Sequence, residues 1–205
     1  MKIKHLASVA FTAACVFAAA SCASTKPKVE RVDAETVIDL DGYWNDNDVT
    51  IVCNSLINEC VTSKTIAGYK AAHGRAPVAI VGKIRNDSDE HIDTSIVEKK
   101  LEYAIINSGA MDFVSDKTER GELREEKLDQ ADNASPETAK SIGNETGADY
   151  MMLGSVKTIV QSADNQEVRR YYVNVEMHDI QTNKIIWMGE NSDIKKVVTR
   201  PKTKI

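Results

Sequence analysis

The chain has 205 residues, 42% hydrophobic, 28% charged and only 5% aromatic, which is enough for one domain and a short additional segment. Its formal net charge is -5 and its sequence pI is near 5.5. That balance excludes a phosphate-neutralising surface for nucleic acid, and no polybasic stretch marks a contact with anionic lipid.

The N-terminus carries a targeting pattern. Met1-Lys2-Ile3-Lys4 is a basic start, Leu6 to Ala20 is apolar, and Ala19-Ala20-Ser21-Cys22 closes the run with small residues. This order predicts a secretory signal over residues 1–21, too short for a comfortable membrane span. The closing residues resemble the lipobox of bacterial lipoproteins, in which the cysteine takes a diacylglycerol and becomes the new N-terminus. Cys22 is therefore the expected lipidation site. Cys15 also follows two alanines, but a cut there would leave a stunted apolar core. Removal of the signal takes Lys2 and Lys4 with it and moves the net charge from -5 to -7. No second apolar run approaches spanning length, so Cys22 is the expected membrane contact. A diacyl lipid with an N-acyl chain suffices for stable anchoring. Residues 22–38 are polar and aperiodic and read as a lipidated tether, about 17 residues long with a reach of about 60 Å when extended.

The predicted globular domain, residues 39–205, opens with N-cap candidates at 46–48. A helix follows whose apolar positions 49, 52, 53, 56, 57 and 60 recur at helical spacing. Thr65 to Ala72 predicts a second short helix, ended by Gly74 and Pro77. Val78 to Ile84 is apolar, β-branched and bounded by Pro77 and Asn86, as a central strand requires. Thr94 or Ser95 opens the next helix, Ser95 and Glu98 have capping-box spacing, and Gly109 stops it. Met111 to Val114 suits a short strand. Thr118 to Gln130 is almost wholly charged or polar and reads as a solvated helix or a loop. Ser135-Pro136-Glu137 predicts a helix start, with an end near Gly143 or Gly147.

Three strands are expected last: Tyr150–Val160, Val168–Ile180 and Lys184–Val198, joined at Asp164-Asn165 and Thr182-Asn183. Val173, Val175 and Met177 alternate with Asn174, Glu176 and His178, the signature of a half-buried strand. The order predicts an α/β fold: a single mixed sheet with helices packed mainly on one face.

No catalytic constellation emerges. Phosphate-binding, dinucleotide and nucleophile-elbow motifs are absent. Ser88-Asp89-Glu90-His91 holds triad residue types, but neighbours on one turn do not meet face to face, and a polar turn is the better reading. Asp39, Asp41, Asp46 and Asp48 suggest calcium, yet the glycine offset and the missing closing glutamate depart from an EF-hand, so caps and turns are favoured. The histidines 5, 73, 91 and 178 lack ligand spacing. Cys53 and Cys60 lie two turns apart on one helix face, roughly 10 Å of rise, beyond the reach of a disulfide. They are expected to be small buried residues. Neither enzyme activity, metal nor cofactor is expected.

With aromatics scarce, the candidate partner contacts are Tyr43 and Trp44 at the start of the domain and Arg169, Arg170 and Tyr171 on a hairpin arm. Each has a core or structural reading as well, and Trp187 reads as core.

Several segments carry a family resemblance in order. Asp39 to Asp48 (DLDGYWNDND) opens the domain. Pro77-Val78 through Asn86 and Glu90-His91-Ile92-Asp93-Thr94 follow. Ala134-Ser135-Pro136-Glu137-Thr138-Ala139, Gly147 to Gly154 and Ile186-Trp187 before Gly189-Glu190 complete the set. With the lipobox, the chain resembles the LpoB family across almost the whole predicted mature chain. The resemblance implies a domain like the TolB N-terminal domain on an outer-membrane lipoprotein facing the periplasm. It further implies a partner, a class A penicillin-binding protein, whose glycan polymerisation and peptide cross-linking the lipoprotein stimulates. The tether departs from the family's long proline-rich one by being short. Two rivals stand beside this reading: a structural lipoprotein subunit of a secretion or Tol-like assembly, and a calcium- or ligand-binding lipoprotein using Asp39 to Asp48.

Overall fold

The structure is a computed structural model that describes residues 29–34, 36–135, 140 and 145–201. The expected signal, Cys22, most of the tether and most of the helix expected after Ser135 lie outside the described residues. Contacts divide the chain between Ile38 and Asp39, and every described helix and strand belongs to the part beginning at Asp39.

Helix α1 spans Asp46–Val61. Its cap is Asn45, one residue before the expected group. The Asn45 side chain accepts from the Asp48 amide, and the Asp48 carboxylate accepts from the Asn45 amide, a reciprocal capping box. Its apolar stripe buries Val49, Val52, Cys53, Leu56, Ile57 and Cys60. Helix α2, Lys64–His73, is capped by Ser63 and ends at Gly74, whose φ of 68° is left-handed.

Strand β1, Val78–Asn86, carries an irregularity between Val81 and Ile84. Helix α3, Ser95–Ser108, buries Val97, Leu101 and Ile105 and stops at left-handed Gly109. The expected capping box at its start does not form: Thr94 is the cap and makes no side-chain bond. Glu98 instead accepts from the Ile84 amide at 2.7 Å, satisfying a donor at the β1 irregularity.

Strand β2 is only Asp112–Phe113. Helix α4, Lys117–Asn133, resolves the ambiguous polar stretch as helix. A capping box between Asp116 and Glu119 starts it, and none of its residues is buried.

Strands β3 (Tyr150–Ala163) and β4 (Gln166–Asp179) form a long antiparallel hairpin turned at Asp164. The single strand expected over 184–198 is two strands, β5 (Ile185–Asn191) and β6 (Lys195–Thr199). Asn191 accepts from the Asp193 amide at 3.2 Å, and this Asx turn interrupts the pairing. Both strands lie along the same edge of β4, one beyond the other.

The sheet order is β2-β1-β3-β4-β5, with β6 also on β4. The β1 pairings are parallel and the others antiparallel, so the sheet is mixed as the pattern predicts. Helices lie largely on one face. There α1 packs on β5 and α3, and α3 packs on β1. Met152, Val173, Val175 and Met177 point into this core with Val81 and Ile84. At Gly189 a Cβ would come within 2.6 Å of the Trp187 ring and 3.1 Å of Leu56, so only glycine lets both side chains close over β5.

Candidate functional site

The hairpin runs past the end of β1. Beyond Val156, strand β3 has lost its β1 neighbour, while β4 is flanked by β6. Among the described residues no helix packs along the core-side face of this arm; only the first turn of α1 reaches it, through Asp48 and Lys196. A lead-in segment, residues 39–45, and the loop after β1, residues 87–92, lie against it instead, and Thr158, Arg169, Tyr171 and Lys196 make its lining largely polar.

Glu90 is the hub. Its carboxylate accepts from Tyr171 Oη at 2.6 Å, from the Arg169 guanidinium at 2.9 Å and from the Trp44 amide at 3.0 Å. Arg169 also donates to Asp89 at 3.0 Å and Glu167 at 2.7 Å. The Tyr43 ring lies over the same guanidinium, 4.6 Å from its centroid, and Trp44 tilts against Tyr171 at 5.2 Å. Burial and then the Glu90 bond push the Tyr171 phenol well above its ordinary pKa, so it is a permanent donor.

Lys196 forms a second node. It donates to Asp48 at 2.7 Å, Asp39 at 2.9 Å and the Tyr43 carbonyl at 2.7 Å. Burial works against its charge, but Asp48 and Asp39 outweigh that and raise its pKa. The same contact lowers that of Asp39. A Cβ at Gly42 would collide with Val198, so glycine is what lets the lead-in segment reach β6. The lead-in is thus pinned to the arm by two charged clusters.

The five candidate contacts take different places: Tyr43 and Trp44 lie in the lead-in, and Arg169, Arg170 and Tyr171 divide by strand parity. Tyr43 is 45% exposed and Trp44 is half-buried against the core. Arg169 and Tyr171 are buried inside the network, so their functional atoms face Glu90 and leave nothing for a partner. Arg170 points to the opposite, open face, where it donates to the Ser192 carbonyl at 3.0 Å and flanks the Tyr172 ring at 5.5 Å. Arg169, Arg170 and Tyr171 therefore do not form one patch, because successive strand residues face opposite sides of the sheet. The hub residues Glu90, Glu167 and Lys196 had no local signal, because Glu90 and Arg169 are 79 positions apart.

The aspartate cluster is occupied by the fold. Asp39 and Asp48 hold Lys196 and Asn45, and Asp41 accepts from the Tyr43 amide. Among the described residues, no three His, Cys, Asp or Glu side chains come together to hold a metal ion. In the triad-like turn, Ser88 bonds Asn86, while Asp89 and Glu90 bond Arg169. Cys53 and Cys60 are free and buried, and burial pushes their thiols up to about 11 and about 12, outside the reactive range. Among the described residues no helix is long and apolar enough to cross a membrane.

Comparison with known proteins adds identity to this geometry. The family described as peptidoglycan-synthase activator LpoB matches residues 48–192. Solved structures similar to the chain include the LpoB C-terminal domain from Escherichia coli, at 17% identity and a TM-score of 0.43, covering 75% of this chain and 99% of that one. The corresponding domain from Salmonella enterica has the same identity and coverage and a TM-score of 0.41. The PelC dodecamer from Paraburkholderia phytofirmans is similar at 16% identity and a TM-score of 0.31, over 57% of this chain and 70% of that one. No curated protein matches the chain. The stretch from Asp48 in the first turn of α1 to the turn after β5 carries the family's pattern, and this chain belongs to the LpoB family.

Proposed function

We propose that the chain is a lipid-anchored protein of the cell envelope that binds a class A penicillin-binding protein and activates it, on the periplasmic side of the outer membrane. The family match over residues 48–192 is the observation that carries this reading. The signal pattern of residues 1–21 and the small residues before Cys22 support the anchor. The charged groups on the core-side face of the arm bond one another, which fits a domain that works by binding rather than by chemistry.

Activation by binding requires the domain to hold the active state of the synthase more tightly than the inactive state. The anchor raises local concentration, but concentration alone shifts no conformational equilibrium. Among the sequence candidates, Tyr43 and Arg170 offer exposed contact area, whereas Arg169, Tyr171 and Glu90 set the arm's shape.

Affinity capture from detergent-solubilised envelopes, with the full chain as bait, tests the partner. Recovery of a penicillin-binding protein is expected; recovery of a ring or pore complex in its place would favour the structural rival. In parallel, Cys22→Ser should release the protein from the membrane fraction, and retention there would remove the anchor from the account.

A further inference from the structure

The face of the arm turned away from the helices carries a charge pattern that the fold does not use. Strand register places Lys157 beside Tyr172, and Ile159, Arg170 and Lys195 in one row across β3, β4 and β6. Val197 flanks this row from β6. On this face, from 157 to 172 and from 195 to 199, every charged residue is a cation and none is an acid. That segregation occurs in a chain whose net charge is -5.

Two details show that the pattern is not there for stability. Arg170 and Lys195 are direct cross-strand partners, a like-charge pairing that destabilises a sheet. Among the described residues, Arg170 donates to the Ser192 carbonyl and hydroxyl, and no carboxylate is bonded to it to offset Lys195. Around the cations lie apolar residues open to solvent, with Ile159 at 53% and Val197 at 58% exposure.

We infer that this open face of the arm is the docking surface for an acidic protein surface, and, resting on the function proposed above, that the acidic surface belongs to the synthase. Charge complementarity selects an anionic partner. A flat, hydrogen-bonded sheet bearing arginine, tyrosine and β-branched side chains has the composition of a protein-protein hot spot. A bilayer contact calls for clusters of roughly four to eight basic residues or an inserted amphipathic helix, and this face has neither. The part-buried Glu90 and Lys196 nodes on the reverse side brace the arm, so the face is presented preformed.

The test uses the full lipidated chain in detergent and a purified class A penicillin-binding protein, with binding measured over a series of salt concentrations. Wild type should bind, more weakly as salt rises. Charge reversal at all three cations, K157E/R170E/K195E, should weaken binding about tenfold or more and flatten the salt dependence. The neutral pair Arg170→Met with Lys195→Met guards against a folding defect. Relief of the like-charge pairing should leave its melting temperature equal or higher while binding still weakens. Wild-type binding that both variants retain in full would overturn this face alone. Absence of wild-type binding would overturn the proposed function and this partner together. The Cys22→Ser chain is also mixed with vesicles of phosphatidylcholine and phosphatidylglycerol. Absence of binding supports a protein partner, and vesicle binding that the triple variant abolishes would assign the face to lipid and overturn it.

Discussion

The two halves of the sheet's core-side face are built by opposite means. At the base, Met152, Val175, Met177, Val81 and Ile84 meet Leu56, Leu101 and Ile105 from the helices, and apolar burial holds the layers together. On the arm, among the described residues, helical contact shrinks to Asp48 at the start of α1, and Tyr171, Arg169, Glu90 and Lys196 take the place of aliphatic side chains. Apolar burial is non-directional and tolerates small shifts. A charged network works only in one geometry, because each unmatched group would carry its desolvation penalty. The base therefore supplies stability, whereas the arm supplies a defined shape at one end of the domain, where the lead-in segment arrives.

Substitutions should separate the two halves. Leu101→Ala removes a fully buried side chain beneath the sheet and should lower the unfolding free energy by about 3 kcal/mol in urea titration, with an unchanged denaturant slope. Glu90→Ala should cost about 2 kcal/mol, less than a fully broken buried pair, because Arg169 keeps Asp89 and Glu167. Joining Arg169→Met and Tyr171→Phe to Glu90→Leu should recover part of that loss, since apolar residues of similar volume replace buried pairs well while the Trp44 amide still lacks its acceptor. No recovery would mean that the arm is stabilised by its charges and that the contrast is wrong. Lys196→Met leaves Asp48 buried with only the Asn45 amide and should cost about 1.5 kcal/mol.

A pH titration probes the lower rim of the base. Asp149 accepts two bonds from Arg75 and one from the Val78 amide, and Arg75 first, then the amide, holds its pKa down at about 2. Its folded value is below the unfolded one of 3.8, so its stabilisation is present above the unfolded value and is lost as pH falls through the folded one. After allowance for solvent screening, about 1 kcal/mol should disappear between roughly pH 5 and pH 2. In Asp149→Asn that part of the pH dependence should vanish. The smallest effect belongs to Lys99→Ala: it removes exposed pairs with Glu102 and Glu119 and should cost about 0.3 kcal/mol.

The base was the more legible half in sequence. The 3.6-residue spacing of Val49 to Cys60 and the β-branched run after Pro77 specify α1 and β1, because burial selects apolar residues at the period of the element. Helix α4 was only half legible, as helix or loop: its lack of a buried face hid it from periodicity, and the deciding signal is the capping-box spacing of Asp116 and Glu119. Glu98 shows the limit of local motifs: the spacing from Ser95 is right, yet a strand amide competes for the carboxylate and wins. The break between β5 and β6 was written in Asn191-Ser192-Asp193, turn formers inside an otherwise strand-like run. The arm was legible only as scattered aromatics and arginines. Its meaning depends on which face each residue takes and on partners about 80 positions away, and no local pattern records either.

Synthesis of glycan strands is the direct readout of the central claim. Purified class A penicillin-binding protein is supplied with lipid-linked precursor, with and without the full chain at saturating concentration, and polymerisation is followed in time. The account predicts a faster rate with the chain present and no polymer from the chain alone. An unchanged rate at saturation would contradict it.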